Sequence, residues 1–92
     1  MENINLSKNK PEKKFRASPV TATIWVNEAT TKDGEKAFYR TISLERSFKD
    51  KEGEWQKTNS LRTNDLPKAL LVLNKSYEYI ALKEEGDAIS EV

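Results

Sequence analysis

Aromatic and hydroxyl side chains occupy alternate positions along two segments of this 92-residue chain. In residues 17–27, threonines and Trp25 alternate with aliphatic residues, and in residues 36–49 the same side of the alternation carries Tyr39. Flat rings can stack on nucleobases, while hydroxyl groups and cations can bind phosphate. The pattern therefore suits an extended, phosphate-bearing ligand, or else the ordinary solvent-facing side of a sheet. With a third segment, 55–62, alternate positions assign to this face Thr21, Thr23, Trp25, Tyr39, Thr41, Ser43, Ser47, Gln56, Thr58, Ser60 and Arg62.

Cationic side chains gather in and around the second and third segments, where they could follow a phosphate backbone. Acidic residues are interspersed among them, so cross-strand ion pairing explains the same charges equally well. Two of the cations, Arg40 and Arg46, share the parity of Ile42 and Leu44, which places them on the aliphatic side, beyond the area that a helix would cover. The cations are Arg40, Arg46, Lys49, Lys51, Lys57 and Arg62.

Histidine and cysteine are both absent, and this limits the chemistry available to the chain. The commonest general base, the thiolate nucleophile and the usual zinc ligands are thereby removed. We predict that the protein is not an enzyme and that it uses no cofactor and no metal ion. The closely spaced acids Asp50, Glu52 and Glu54 lack the EF-hand pattern and are interpreted as a solvated turn.

The secondary structure predicted from these patterns is strand–strand–strand–helix. Period-two alternation with β-branched residues indicates the strands, and Asp33-Gly34 and Gly53 mark the two turns between them. A helix is predicted over 66–83, with Pro67 in its first turn and Gly86 beyond its end. The fold class is therefore α+β: a curved antiparallel sheet of three to four strands with one C-terminal amphipathic helix.

The predicted domain covers residues 17–83, between two charged tails. Residues 1–16 carry five cationic and two acidic side chains and are expected to form a disordered basic arm, whereas residues 84–92 form an acidic, mobile tail. No signal-peptide core and no membrane-spanning run occurs, which predicts a cytoplasmic protein that can associate with the nucleoid and does not bind membranes.

The predicted helix has more apolar surface than one small sheet needs. Its main stripe has 4, 3, 4, 3 spacing, and further apolar residues widen it, which favours a homodimer. The alternative is that the sheet curls around the helix. The stripe is Leu66, Leu70, Leu73, Tyr77 and Ile80, and the residues predicted to contact a second copy are Leu71, Val72 and Tyr79.

The segment from the second strand to the helix resembles the Positive Cofactor 4 family of transcriptional coactivators, whose fold is related to the whirly domains. The resemblance rests on SLERSFKDKEGEW (43–55), QKTNSL (56–61) and TNDLPKAL (63–70). It implies a dimer that binds single-stranded DNA on curved sheets. It also implies that Phe48 corresponds to the family's strand-end aromatic that stacks on bases. Lys57 is similar to the family's lysine three residues before the Ser-Leu pair, and Trp25 is a loose equivalent of the first-strand aromatic. Glu45 stands where that family tends to have an arginine.

These observations predict that the chain binds single-stranded nucleic acid, DNA or RNA, with little sequence specificity, in transcription, replication or repair. The alternative function is a protein-interaction or regulatory module that uses the apolar helix face. The residues predicted to bind nucleic acid are Trp25, Tyr39, Arg40, Arg46, Phe48, Lys57 and Arg62.

Overall fold

A computed structural model describes residues 9–89 of the chain, and the side chains of residues 9–83. Four antiparallel strands in the order β1-β2-β3-β4 form one open, curved sheet, and a helix follows them. This confirms the predicted α+β fold class; dimerisation stays a prediction. The elements are β1 (Asn9–Ala17), β2 (Val20–Thr30), β3 (Lys36–Lys49), β4 (Trp55–Thr58), a 3-10 turn (Thr63–Asp65) and α1 (Leu66–Ile89).

The central strand β2 is the best-buried part of the sheet. Its aliphatic residues Val20, Ala22 and Ile24 are fully buried, because they lie between β1 and β3 and beneath α1. Phe15 and Ala17 from β1 and Leu44 from β3 pack around them. The alternation in residues 17–27 thus correctly predicted which side of this strand faces the core.

The two hairpin turns after β2 and β3 use the same local design. Each is a five-residue turn with glycine at its fourth position, and Gly34 and Gly53 have φ of 86° and 84°. The amide of Gly34 donates to the carbonyl of Thr31, as the amide of Gly53 does to that of Asp50, both at 3.0 Å. This positive φ favours glycine, so both turns were identifiable from the sequence.

Strand β1 replaces half of the predicted disordered arm. The prediction for residues 1–16 is wrong over 9–16, which pair with β2 from Asn9↔Asn27 to Arg16↔Thr21, with a bulge between Pro11 and Lys13. This strand was not predicted because its residues are mostly lysine and other polar types. Only Phe15 and Ala17 have the apolar character expected of a buried strand side. Residues 1–8 of that prediction lie outside the described residues.

Strand β4 is shorter than the predicted third strand, and it has the opposite parity. It ends at Thr58, and its register pairs Lys49 with Trp55 and Ser47 with Lys57. Gln56 and Thr58, assigned from the sequence to the hydroxyl-rich face, therefore lie on the same side as α1. The parity changed because the five-residue turn sets the register between β3 and β4, and counting alternate positions cannot cross such a turn.

Helix α1 packs on the sheet through its small residues, not through its leucines. Ala69, Val72 and Ser76 are buried against β1 and β2, with Val72 only 2% exposed. Small side chains let a helix approach a strand closely. The Ser76 hydroxyl is satisfied by donating to the carbonyl of Val72 at 2.8 Å. The helix also continues to Ile89, so Gly86 lies within it and the prediction that it ends the helix is wrong.

Candidate functional site

The sheet surface turned away from α1, here called the outer face, carries the most distinctive set of polar side chains. Paired residues of antiparallel neighbours point to the same side, so the strand registers define this face without ambiguity. Across the sheet, Lys14 lies beside Thr23 and Ser43, and Arg16 lies beside Thr21 and Glu45. Beyond them, Ser47 lies beside Lys57, and Lys49 beside Trp55.

The strand charges of the two faces differ in the number of carboxylates among them and not in their net sum. Among the strand residues that the structure describes, the outer face has a single carboxylate, that of Glu45. The helix side has five strand cations and two carboxylates, those of Glu12 and Glu28, so each face has a net charge of +3. The cations of the outer face are Lys14, Arg16, Lys49 and Lys57.

A shallow depression of about 190 Å³ lies among these cations, and we call it the cationic depression. Hydroxyl groups form much of its floor, and the Lys57 ammonium lies 3.7 Å from the Glu45 carboxylate at one side. Lysine and arginine donors together with serine and threonine hydroxyls can hold a phosphate group. The depression is lined by Lys14, Arg16, Thr21, Thr23, Glu45, Ser47 and Lys57.

Three aromatic side chains lie on the outer face on either side of the depression. Trp25 is half-buried, and its indole N–H donates to the Ser43 hydroxyl at 3.0 Å, which fixes the ring against the sheet. Tyr39 is half-exposed at the same end. At the other end Trp55 is 67% exposed, with the Lys49 ammonium 5.5 Å from its ring centroid. Exposed rings that neighbouring groups hold in place are suited to stacking.

The buried amide of Asn27 stiffens the end of the sheet that carries Trp25 and Tyr39. Its nitrogen donates to the Tyr39 carbonyl at 3.3 Å and to the Thr41 hydroxyl at 3.1 Å. Because the side chain is 7% exposed, these bonds are shielded from water. The aromatic end of the outer face is therefore held by side-chain bonds as well as by the strand ladder.

Of the seven residues predicted to bind nucleic acid, the structure brings three onto the outer face. These are Trp25, Tyr39 and Lys57. Arg40 and Arg46 lie on the helix side, the side that the sequence predicted for them. Phe48 has the same parity, and Arg62 lies beyond the end of β4.

The two arginines on the helix side are engaged in ion pairs. Arg40 Nε lies 2.8 Å from a Glu12 carboxylate oxygen, and Arg46 Nε lies 3.2 Å from Asp65. The Arg46 guanidinium is also 5.7 Å from the Phe48 ring centroid. These contacts fasten the sheet to β1 and to the start of α1, which gives Arg40 and Arg46 a structural role.

Arg62 belongs to the segment that leads into the helix. Arg62 is the N-cap residue of the 3-10 turn that precedes α1, and its backbone amide donates to the Asp65 carboxylate at 2.7 Å. The predicted third strand would have placed its side chain on the outer face. The strand ends four residues too early for that.

Sequence reasoning missed three residues of the outer face: Lys14, Arg16 and Trp55. The first two belong to β1, which was predicted to be disordered; their alternation with Phe15 and Ala17 was the available signal. Trp55 directly follows the second turn, at the start of β4. Its side on the sheet depends on the β3–β4 register, which the sequence does not reveal.

On the helix side, Glu12 is the centre of a polar cluster that joins three elements. Besides Arg40 from β3, its carboxylate accepts hydrogen bonds from the Tyr79 hydroxyl at 2.8 Å and from the Lys83 ammonium at 3.1 Å. The hydrogen bond from Arg40, aided by those from Tyr79 and Lys83, lowers the pKa of Glu12 from 4.5 to about 2. The hydrogen bond that the Lys83 ammonium donates to Glu12 raises the pKa of Lys83.

The hairpin turn at Asp50 has its own electrostatic signature. The pKa of Asp50 is lowered, chiefly because the backbone amide of Glu54 donates to it at 2.9 Å and the Gln56 amide at 3.0 Å. Asp50 thus accepts hydrogen bonds from its own turn. Within the described residues, no three acidic side chains are grouped closely enough to hold a metal ion.

The predicted contact residues of a dimer are distributed over different environments. Val72 is in the core, so its assignment to an interface is wrong. Tyr79 is half-buried, with its hydroxyl bonded to Glu12. Leu71 is exposed, on the flank of α1 whose Lys75 and Leu82 line a cleft beside Phe15 of β1.

The opposite flank of α1 carries the leucine stripe that the spacing of apolar residues predicted. With 100° per residue, this flank points away from β1 and over the uncovered side of β3, where Phe38 and Ile42 are exposed. Leu70 and Tyr77 are the most exposed of the stripe, at 69% and 70%. We call this surface the apolar step; it consists of Leu66, Leu70, Leu73 and Tyr77 from α1 with Phe38 and Ile42 from β3.

Comparisons of the chain with models of protein families, with curated proteins and with solved structures give no match. Over residues 9–89, no helix combines the length and apolar character needed to cross a membrane.

Proposed function

We propose that this protein binds single-stranded nucleic acid on the outer face of its sheet, with little sequence preference, in transcription, replication or repair. The observation that carries the proposal is the arrangement on one face of three exposed or half-buried aromatic rings around the cationic depression. The resemblance to the Positive Cofactor 4 family supports the same ligand, although Phe48, the aromatic it suggests, lies on the other face.

Cations and rings act on different parts of such a ligand. Lys14, Arg16 and Lys57 would neutralise phosphates and release counterions, which makes affinity fall as salt rises. Trp25 and Trp55 would stack on bases, an interaction worth roughly 1–3 kcal/mol per base. Stacking on a flat sheet requires unpaired bases, so the arrangement favours single strands over a duplex.

A second proposed role is self-association through the apolar step. A surface with this many exposed leucine and aromatic side chains is unusual on a monomer and marks an interaction site. We propose that a second copy of the chain covers it, because the exposed leucines of α1 lie next to the part of β3 that α1 leaves exposed. Across a two-fold axis, each helix could then lie on the open part of the other sheet. Such a dimer would leave both outer faces free for nucleic acid.

The test of nucleic-acid binding is fluorescence anisotropy with labelled single-stranded oligonucleotides and the matching duplex, at two salt concentrations. We expect micromolar or tighter binding that favours the single strand and weakens steeply with salt. The double variant Lys14→Gln/Lys57→Gln should bind at least tenfold more weakly, whereas Lys10→Gln/Lys36→Gln, which removes the same charge from the helix side, should bind as the wild type does. Absence of binding at low salt, or equal losses in both double variants, would contradict the proposal.

A further inference from the structure

Resting on the proposed function, we infer that the bound strand runs parallel to β3, with its bases stacking at Trp25 on one end and at Trp55 on the other. The two tryptophans lie on the same face but not in the same row of the sheet. Trp25 is paired with Thr41, and Trp55 with Lys49. Eight residues of β3 separate these positions, which is about 26 Å at about 3.3 Å per residue.

The cations lie in the interval between these two rings. Lys14 and Arg16 are on β1, beside the rows of Ser43 and Glu45, and Lys57 is on β4 beside Ser47. They therefore flank the central strands β2 and β3 on both sides, and neutral hydroxyl groups lie between them. A backbone that follows one of the flanks can place its phosphates on the cations while its bases lie over the middle of the sheet.

A strand that crosses the sheet at right angles would meet these groups less well. Four strands about 4.8 Å apart give a width of only about 15 Å, and any one crossing row contains at most one of the two tryptophans. Such a path would also pass over the single carboxylate, Glu45, if it used the row of Arg16. The parallel path reaches both rings and the cations of the flank that its backbone follows.

The separation of the rings sets the length of nucleic acid that the site needs. In a stacked strand each nucleotide advances by about 3.4 Å, so about eight nucleotides span 26 Å; a more extended strand needs fewer, about five. This lies within the site sizes of about 4–16 nucleotides that sheet-based single-strand binders show. A shorter oligonucleotide can reach one tryptophan only.

The experiment is a length series of thymine oligonucleotides from two to twelve nucleotides, with affinities measured by anisotropy for the wild type, Trp55→Ala and a control, Leu71→Ala. For the wild type we expect affinity to rise abruptly, by about tenfold, between four and eight nucleotides. Trp55→Ala should remove this rise and leave the affinity for three nucleotides within about twofold of the wild type. Leu71→Ala, which shortens an exposed apolar side chain of α1 outside the apolar step, should keep the rise.

A second measurement places the stacking sites without changing the protein. In a ten-nucleotide strand, abasic positions in the centre keep the phosphates and should cost less than threefold, whereas abasic positions at both ends should cost at least tenfold. A smooth rise with length that is identical in Trp55→Ala, or a greater loss from central abasic positions, would overturn the parallel path while leaving nucleic-acid binding intact. No binding at any length would instead reject the proposed function.

Discussion

The hydroxyl of Tyr79 donates a 2.8 Å hydrogen bond to the carboxylate of Glu12, across 67 positions of sequence. The same carboxylate holds the Arg40 guanidinium, so one side chain connects β1, β3 and α1 on the helix side of the sheet. Glu12 lies two residues before Lys14 and four before Arg16, both on the outer face. The polar cluster on one face thereby fixes the edge strand that carries cations on the other.

Replacing this carboxylate should destabilise the fold. Glu12→Gln keeps the shape of the side chain but removes its charge and one of its two acceptor oxygens, so the bonds from Arg40, Tyr79 and Lys83 are weakened or lost. We expect the free energy of unfolding to fall by about 2 kcal/mol. Urea unfolding at pH 7 measures it. The matched control is Glu28→Gln, whose partner Lys36 is exposed, and it should change stability by less than about 0.5 kcal/mol.

The contribution of Glu12 should also depend on pH in a defined direction. Its pKa is about 2 in the folded protein against an ordinary 4.5, so the ionised carboxylate stabilises the fold fully above about pH 4.5. As pH falls from 4.5 towards 2, the unfolded chain takes up the proton first and the contribution is lost. The stability difference between wild type and Glu12→Gln should therefore shrink over this interval; a difference that stays constant from pH 7 to pH 2.5 would contradict the role of charge.

Two neighbouring leucines of α1 should respond differently to the same substitution. Leu70 belongs to the apolar step, whereas Leu71 lies on the flank towards β1, and both are exposed. If a second copy covers the step, Leu70→Glu should raise the dimer dissociation constant by at least about a hundredfold, since each interface loses two buried leucines. Leu71→Glu should leave it unchanged. Sedimentation equilibrium measures both, and a monomeric wild type at 100 μM would exclude the dimer.

The salt dependence of binding should show whether a single outer-face cation contacts a phosphate. Lys57→Gln should weaken binding to all oligonucleotide sequences about equally and reduce the slope of log affinity against log salt by about 0.7 to 1. Lys36→Gln, on the helix side, should change neither quantity. A change of sequence preference in Lys57→Gln, with an unaltered slope, would mean that Lys57 contacts a base and not a phosphate.

Glu45 is the one acid among the outer-face strand residues of the described chain, and its removal should strengthen binding. Glu45→Gln takes away a charge that repels phosphate and frees Lys57, 3.7 Å away. Because both side chains are partly exposed, the gain should be modest, about two- to fourfold at low salt. Glu28→Gln makes the same change of net charge on the helix side and should have no effect on affinity. Weaker binding in Glu45→Gln would indicate that the carboxylate accepts a hydrogen bond from the ligand.

Arg46 should matter for stability and not for binding. Its partner Asp65 is 6% exposed, so Arg46→Met leaves a buried carboxylate without its cation and should cost about 3 kcal/mol of unfolding free energy. Thermal unfolding gives the stability, and anisotropy at low temperature, where the variant is folded, gives the affinity. We expect an affinity within twofold of the wild type. A tenfold loss of affinity in a folded variant would show that Arg46 contributes to nucleic-acid binding.

Local sequence chemistry determined much of the framework. The β-branched alternation of Val20, Ala22 and Ile24 defined β2 and its buried side, because successive side chains of a strand point to opposite faces. Gly34 and Gly53 marked both hairpins through the positive φ that their turns require, and the absence of cysteine and histidine limited the chemistry. For these features a residue and its nearest neighbours were sufficient.

Tertiary structure alone decided which residues of β1 and β4 join the outer face. The β3–β4 register turned Lys57 and Trp55 to the outer face and Gln56 to the other, and pairing with β2 made a strand of a lysine-rich segment that contains Lys14. Packing also decided which side of the helix is buried. Ala69, Val72 and Ser76 face the sheet, and the larger leucines stay exposed. Period and composition identify an amphipathic element, but the choice of its buried side depends on the shape of the surface that it meets.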